Sequence, residues 1–298
     1  MDCEWSKRTS DFLSMTLAKD YTSVSYALQV NGELVAADAL GWQDQPGNVK
    51  ADTRCTYNVA SVSKIYCTAA VMVLVQRGLV DLDTPVVQYV SDFKMLDHDY
   101  KKITVRHLLN HASGLPGTQW KGFSVTAQTE RDYYKEVLDY LAVSHLKAQP
   151  GEYSVYCNDG FTLAEIVVAR VSNQRYCDFL RENITALIGA ESTRTIEDRN
   201  PEYPLVHEKK KPAELLLVEG AGGLTTSMID LCKFGQLFLS ENPILTETSK
   251  QEMAKKQGVS FLPQDQKSLA YGLGWDTVCF SDPDFDLGEG VLRKGGNS

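Results

Sequence analysis

From Ile65 to Val75 the chain carries no charged residue, and the run is entered through Ser61-Val62-Ser63-Lys64 and left through Arg77-Gly78. A charge-free segment of this length predicts a buried helix from about Ser61 to Arg77, with Gly78 as its C′ residue. Ahead of it, Val24–Val30 and Glu33–Leu40 alternate apolar and polar positions around Asn31-Gly32. That dipeptide predicts an antiparallel hairpin, because a type I′ turn needs positive φ at both central residues. Residues 6–19 read as an opening helix, 43–52 as a polar loop, and Asp83-Thr84-Pro85 as the start of a short helix. Thr104 reads as the cap of a helix over 105–111 that stops at Ser113-Gly114-Leu115-Pro116-Gly117.

Further helices are predicted over 130–147, 161–171 and 176–182, with Gln149-Pro150-Gly151-Glu152 as a turn. Residues 191–219 are polar, contain proline and have weak periodicity, so they read as an extended connection along one side of a site. Ser227 is placed to cap a helix over 228–239, another follows over 247–256, and strands over 270–278 and 290–298 enclose an acidic loop at 281–286. The order is helix, strands, many helices, strands. It implies an α/β fold of the α+β type: an antiparallel sheet flanked by helices, built from residues 1–80 and 220–298, with a mainly helical domain over 81–219 inserted between its halves. A cleft between the two parts is the expected place for a site.

Composition narrows the function classes. The 298 residues are 43% hydrophobic and 23% charged, as in ordinary globular proteins. Thirty basic against 39 acidic residues give a net charge of −9, a surface that repels nucleic acid and anionic membrane. Lys209-Lys210-Lys211 reads as a solvated loop. Seven cysteines, an odd number without a Cys-x-x-Cys pair, indicate reduced thiols rather than a disulfide framework or a zinc site. The first residues lack the apolar core of a signal peptide, and no run is long enough for a membrane helix, so the chain is expected to be cytoplasmic.

Ser-x-x-Lys occurs three times, as Ser61/Lys64, Ser91/Lys94 and Ser144/Lys147. The ordinary meaning of such a pair is an N-cap serine with a solvated lysine. Ser91/Lys94 lies in a polar loop and Ser144/Lys147 at the end of a polar helix, which leaves Ser61/Lys64 at the head of the buried segment. There the hydroxyl and the amine would sit one turn apart on one face, a serine with its own base. A lysine serves as base only where burial and positive neighbours lower its pKa. His111 beside Ser113 is not read as a catalytic pair: Gly-x-Ser-x-Gly is absent, and a helix-end histidine bonded to nearby carbonyls is the simpler account.

Two later motifs supply partners. Tyr156-Cys157-Asn158 is the only Tyr-x-Asn among 14 tyrosines, in a loop before a helix; alone it reads as a buried tyrosine with a turn-capping asparagine. Lys294-Gly295-Gly296-Asn297 has glycines that would let a ligand approach the backbone, and alone it reads as a frayed strand end. The order Ser-x-x-Lys, Tyr-x-Asn, Lys-x-Gly resembles the serine β-lactamase and penicillin-binding protein superfamily, and within it the class C β-lactamase-like enzymes. Further segments are similar: Ile103–Leu115, Pro150-Gly151-Glu152, Ala221–Ser227 and Tyr271-Gly272-Leu273-Gly274-Trp275.

The resemblance implies a β-lactamase/transpeptidase-like fold and a serine hydrolase that forms an acyl-enzyme on Ser61 with a small ester, amide, peptide or β-lactam. It implies Lys64 as proton acceptor, alone or shared with Tyr156, whose pKa Lys64 and Lys294 would lower. Asn158 would orient Lys64 and the substrate amide, and Lys294 would face Tyr156 and a substrate carboxylate. Gly296 and Asn297 would line the substrate strand, and the backbone N–H groups of Ser61 and Asn297 would form the oxyanion hole. No metal or other cofactor is implied; the partner is a small-molecule substrate, and the oligomeric state stays open. Two departures stand out: Gly295 replaces a common hydroxyl residue, and the family continues beyond the point where this sequence stops, at Ser298. A slow penicillin-binding sensor or scaffold with the same fold is the alternative.

Overall fold

The computed structural model describes residues 7–15, 21–44, 46, 48–119, 121–125, 131–206, 215–239, 241–259, 271–281 and 286–296. Helix α1 covers 7–15 of the expected opening helix, and its Ser10 hydroxyl donates to Asp38 Oδ2 at 3.1 Å. Strands β1 (Ser23–Val30) and β2 (Glu33–Asp44) pair antiparallel from Ser23↔Gly41 to Val30↔Glu33. Asn31 and Gly32 turn the hairpin at φ +50° and +83°, both left-handed as the dipeptide demands. β3 (Val49–Lys50) adds to the far edge of β2, with Lys50 Nζ 3.5 Å above the Trp42 ring.

β4 (Tyr57–Asn58) leads through a 3₁₀ turn at Ala60–Val62 into α2 (Ser63–Gln76), which is buried from Ser63 to Leu74. Gly78, at φ +70°, closes α2 as a C′ residue, its N–H donating to Val75 O at 2.9 Å. Tyr66 of α2 stacks on Phe234, with ring centroids 3.7 Å apart. The buried apolar cluster is continuous around this helix, from Val59 to Val278 in sequence. The helix meant to start at Asp83-Thr84-Pro85 is a single 3₁₀ turn, Val86–Gln88, since Val86 N–H bonds Ile103 O outside the segment.

Helix α3 (Val105–Leu109) has the predicted Thr104 cap, made into a capping box by the His107 side chain. β5 is Ser124–Val125, and α4 spans Tyr133–Ala142 within the expected 130–147, capped by Asp132. α5 (Asn158–Ser172) begins three residues before the expected Phe161, which places Asn158 in its first turn. α6 is Tyr176–Leu180, continued by a π turn at Arg181–Thr185.

Among its described residues the extended connection contains two two-residue strands, β6 (Arg194–Thr195) and β7 (Leu215–Leu216), and ends in a π turn, Glu219–Gly223. Lys209-Lys210-Lys211 lies outside the described residues. β8 (Leu224–Thr226) sits between β4 and β6, and β7 pairs with β5. α7 (Met228–Leu239) starts at Ser227, whose hydroxyl accepts from Asp230 N–H, and α8 is Glu247–Ala254.

The last strands are β9 (Thr277–Ser281) and β10 (Asp286–Arg293). They are shifted from the expected 270–278 and 290–298. The segment 271–275 turns instead, because Gly274 at φ +76° faces α2, where an added Cβ would lie 2.4 Å from Thr68 Oγ1. Among the described residues the strands fall into four sheets whose ladders are all antiparallel, with one isolated parallel bridge at Thr56↔Leu205. Among those residues no helix is long and apolar enough to cross a membrane.

Candidate active site

β4 brings the chain to the site and α2 leaves it. Val59 N–H donates to Leu224 O at 3.0 Å, fixing the strand end to β8. Ala60 then takes φ +45°, a left-handed conformation that costs an L side chain roughly 1 kcal/mol or more. Asn58 holds it there, Oδ1 accepting from Ala60 N–H at 2.7 Å. Ser61 follows on the 3₁₀ turn, two residues before the α-helix that was expected to start near it. Its hydroxyl caps neither helix. Lys64 Nζ lies 3.1 Å from Ser61 Oγ and 2.5 Å from Ala221 O. The ordinary reading of Ser-x-x-Lys fails here on both counts, since Lys64 is 0% exposed. Ser91, Lys94 and Lys147 are exposed, and the Ser144 hydroxyl is turned back onto Tyr140 O.

Burial, and after it the charge of Lys294, lowers the Lys64 pKa from 10.5 to about 7. Lys64 and Lys294 lie 4.9 and 5.5 Å from the centre of the Tyr156 ring. Burial pushes the Tyr156 pKa up to about 12 rather than lowering it, although the nearby Ser61 hydroxyl favours the phenolate. The expectation of an acidic phenol is thus corrected: desolvation of the phenolate outweighs the influence of Ser61, and the charge of Asp276 adds to it.

Lys294 leaves β10 with a side chain only 2% exposed and pairs with Asp276 Oδ1 at 2.8 Å. Asp276 Oδ2 accepts Gly295 N–H at 2.9 Å. Gly296 lies against the chain's own backbone rather than leaving room for a ligand: a Cβ there would sit 2.3 Å from Val59 O and 3.3 Å from Ser61 N. Asn297, expected to give the second oxyanion-hole N–H, lies outside the described residues. Asn158, expected to orient Lys64, donates instead to Thr118 Oγ1 at 3.0 Å; the backbone carbonyl of Ala221 takes the place at Lys64.

The geometry brings in groups that sequence spacing did not disclose. His111, at φ +61° and buried, accepts Cys157 N–H at Nδ1 (3.1 Å), so it holds the Tyr156 loop instead of donating to carbonyls. Its ring lies 4.5 Å from that of Tyr156, and burial keeps its pKa well below the usual histidine range. Glu165 of α5 braces the turn that carries Ala221: Oε2 accepts Gly220 N–H and Oε1 accepts the Tyr134 hydroxyl, both at 2.7 Å. Asp276 follows directly on Gly274-Trp275, and its one signal was an acidic residue beside a glycine-rich segment.

The beta-lactamase family model matches residues 14–297. This chain belongs to the beta-lactamase family. Among curated relatives, penicillin-binding protein 4* of Bacillus subtilis is 24% identical over 83% of this chain and 59% of its own length. Protein flp of Staphylococcus aureus is 29% identical over 50% of this chain and 30% of its own. The chain therefore spans well under two thirds of these relatives. Among solved structures, D-amino acid amidase from Ochrobactrum anthropi SV3 superposes with a TM-score of 0.74 at 23% identity, covering 89% of this chain and 78% of that one. EstCE1, a hydrolase with promiscuous acyltransferase activity, gives 0.73 at 17% identity, covering 90% and 82%. The solved structures show the β-lactamase/transpeptidase-like fold.

Proposed function

We propose that this beta-lactamase family member is a class C-like serine hydrolase that acylates Ser61 with a small ester or amide, a peptide bond included. The observation that carries the reading is the 3.1 Å approach of Lys64 Nζ to Ser61 Oγ, with Lys64 buried and brought to about 7. A neutral Lys64 takes the hydroxyl proton as Oγ attacks the carbonyl carbon. The Ser61 N–H faces the developing oxyanion, with the N–H of Asn297 as the second donor. The C–O or C–N bond then breaks, Tyr156 gives its proton to the leaving group, and protonated Lys64 restores it. In deacylation water follows the reverse path, its proton passing to Lys64 and Ser61 recovering its own. A phenol held near 12 is suited to donating in this sequence and not to acting as the resting base.

The test is hydrolysis of p-nitrophenyl esters and D-amino-acid amides by wild type and Ser61→Ala, with mass spectrometry of the intact protein. Wild type is expected to turn over at least one class through an adduct on Ser61. Ser61→Ala should lose on the order of 1,000-fold or more, the scale on which losing a covalent nucleophile is felt. Hydrolysis unchanged in Ser61→Ala overturns the proposal. A stoichiometric adduct without turnover identifies the slow sensor instead.

A further inference from the structure

Lys294 has three N–H donors, and two are committed: one to Asp276 Oδ1 at 2.8 Å, one to its own neighbour's carbonyl, Gly295 O, also at 2.8 Å. Asp276 is fixed from three sides. Its N–H donates to Arg293 O at 3.0 Å, Oδ1 meets Lys294, and Oδ2 holds Gly295 N–H. The ammonium that would receive a substrate carboxylate therefore already has one, supplied by the protein and locked to the same short segment. Asp276 keeps 24% of its side chain exposed against 2% for Lys294, so the carboxylate is the more accessible member of the pair.

We propose that Asp276 is a specificity-determining residue whose carboxylate stands in the place of a substrate carboxylate at Lys294, so that the cleft selects acyl donors uncharged beside the scissile bond. The inference rests on the acyl-transfer reading above and adds its substrate class: neutral esters and amides over compounds with a free carboxylate. Two features support it. The Lys294–Asp276 pair has no net charge, and an incoming carboxylate meets attraction and repulsion from centres 2.8 Å apart. Displacing Asp276 would also strip Gly295 N–H of its acceptor, an added cost for any anion competing for the site. Gly295, lacking a side chain, brings no hydroxyl that could hold the anion by another route.

The experiment compares N-acetyl-D-alanyl-D-lactate with its methyl ester in wild type, Asp276→Asn and Asp276→Glu, following only cleavage of the D-alanyl–lactate ester bond by release of N-acetyl-D-alanine. Wild type should favour the methyl ester. Asp276→Asn should shift the acid-to-ester ratio of kcat/KM toward the acid by roughly tenfold or more, the scale of removing one opposing charge at contact distance near a surface. Asp276→Glu should restore the wild-type ratio. A merely structural role would depress both substrates together and leave the ratio fixed. An unchanged ratio in Asp276→Asn, or a wild-type preference for the acid, overturns the proposal. Inhibition of wild type alone by benzeneboronic acid and its 3-carboxy derivative gives a second reading should the variant not fold. The carboxylate should weaken binding, less so as ionic strength rises; tighter binding of the carboxylated compound overturns the inference. Absence of any Ser61 adduct with either ester would remove the acyl-transfer reading itself, whereas adducts with an unshifted ratio would remove the selectivity alone.

Discussion

On the proposed mechanism, rate and stability both turn on one buried residue, Lys64. With its pKa lowered to about 7, first by burial and then by Lys294, kcat/KM should rise with pH through an apparent pKa near 7 as Lys64 loses its proton. Tyr156→Phe should keep that rising limb while losing about 100- to 10,000-fold in rate, because it removes proton donation and not the base. The same lysine links pH to folding. Between about 7 and its ordinary 10.5 the unfolded chain holds more protons than the folded one, so stability rises with pH across that window. Thermal unfolding as a function of pH should lose this slope in Lys64→Met. Of the site, Ser61, Lys64, Tyr156 and Lys294 were legible because each belongs to a short motif with a distinctive neighbour. Asp276, Ala221 and His111 were not, since a carbonyl, a counter-ion and a left-handed histidine act through positions that only the fold brings together.

Among elements, the contact between 294–296 and the β4–α2 turn carries the site. At Gly296 an added Cβ would meet backbone, Val59 O at 2.3 Å, and backbone cannot rotate away. Gly296→Ala should therefore cost about 1–3 kcal/mol, the range for overpacking, and should slow Ser61 acylation beyond any loss of stability. At Gly295 the nearest atom to a new Cβ is Asp276 Oδ2 at 3.6 Å, an ordinary contact, so Gly295→Ala should be tolerated. Urea unfolding together with adduct formation separates the two variants. Element types were readable where local chemistry decides alone: Asn31-Gly32 at the hairpin, Thr104 at a helix cap, the charge-free body of α2. Boundaries failed where distant packing decides. Helix α4 stops at Ala142 although Ser144 and Lys147 suit a helix, because Leu96 N–H draws Ser144 O and Lys147 N–H bonds Gly114 O.

Across the whole molecule, the site is braced from behind by buried carboxyls. Burial, and after it the charge of Glu219, pushes the Glu165 carboxyl well above its ordinary 4.5. An acid with a raised folded pKa stabilises at low pH, and that contribution fades as pH climbs from about 4.5 through the raised value. Glu165→Gln should flatten this decline, while Glu165→Ala should cost about 1–3 kcal/mol by leaving the Gly220 N–H and Tyr134 hydroxyl without an acceptor; unfolding free energies at several pH values check both. The turn that Glu165 supports gives Lys64 its carbonyl partner 157 residues further along the chain. A chain still emerging from the ribosome therefore displays a serine that is not yet armed. On the proposed mechanism, Lys64 would stay solvated and charged, and the Ser61 hydroxyl no more reactive than any other, until the segments that bury Lys64, 219–223 among them, had docked. If Ser61 is the nucleophile, acylation by a fluorescent ester should report chains in which Lys64 is already buried and pass over those in which it is not.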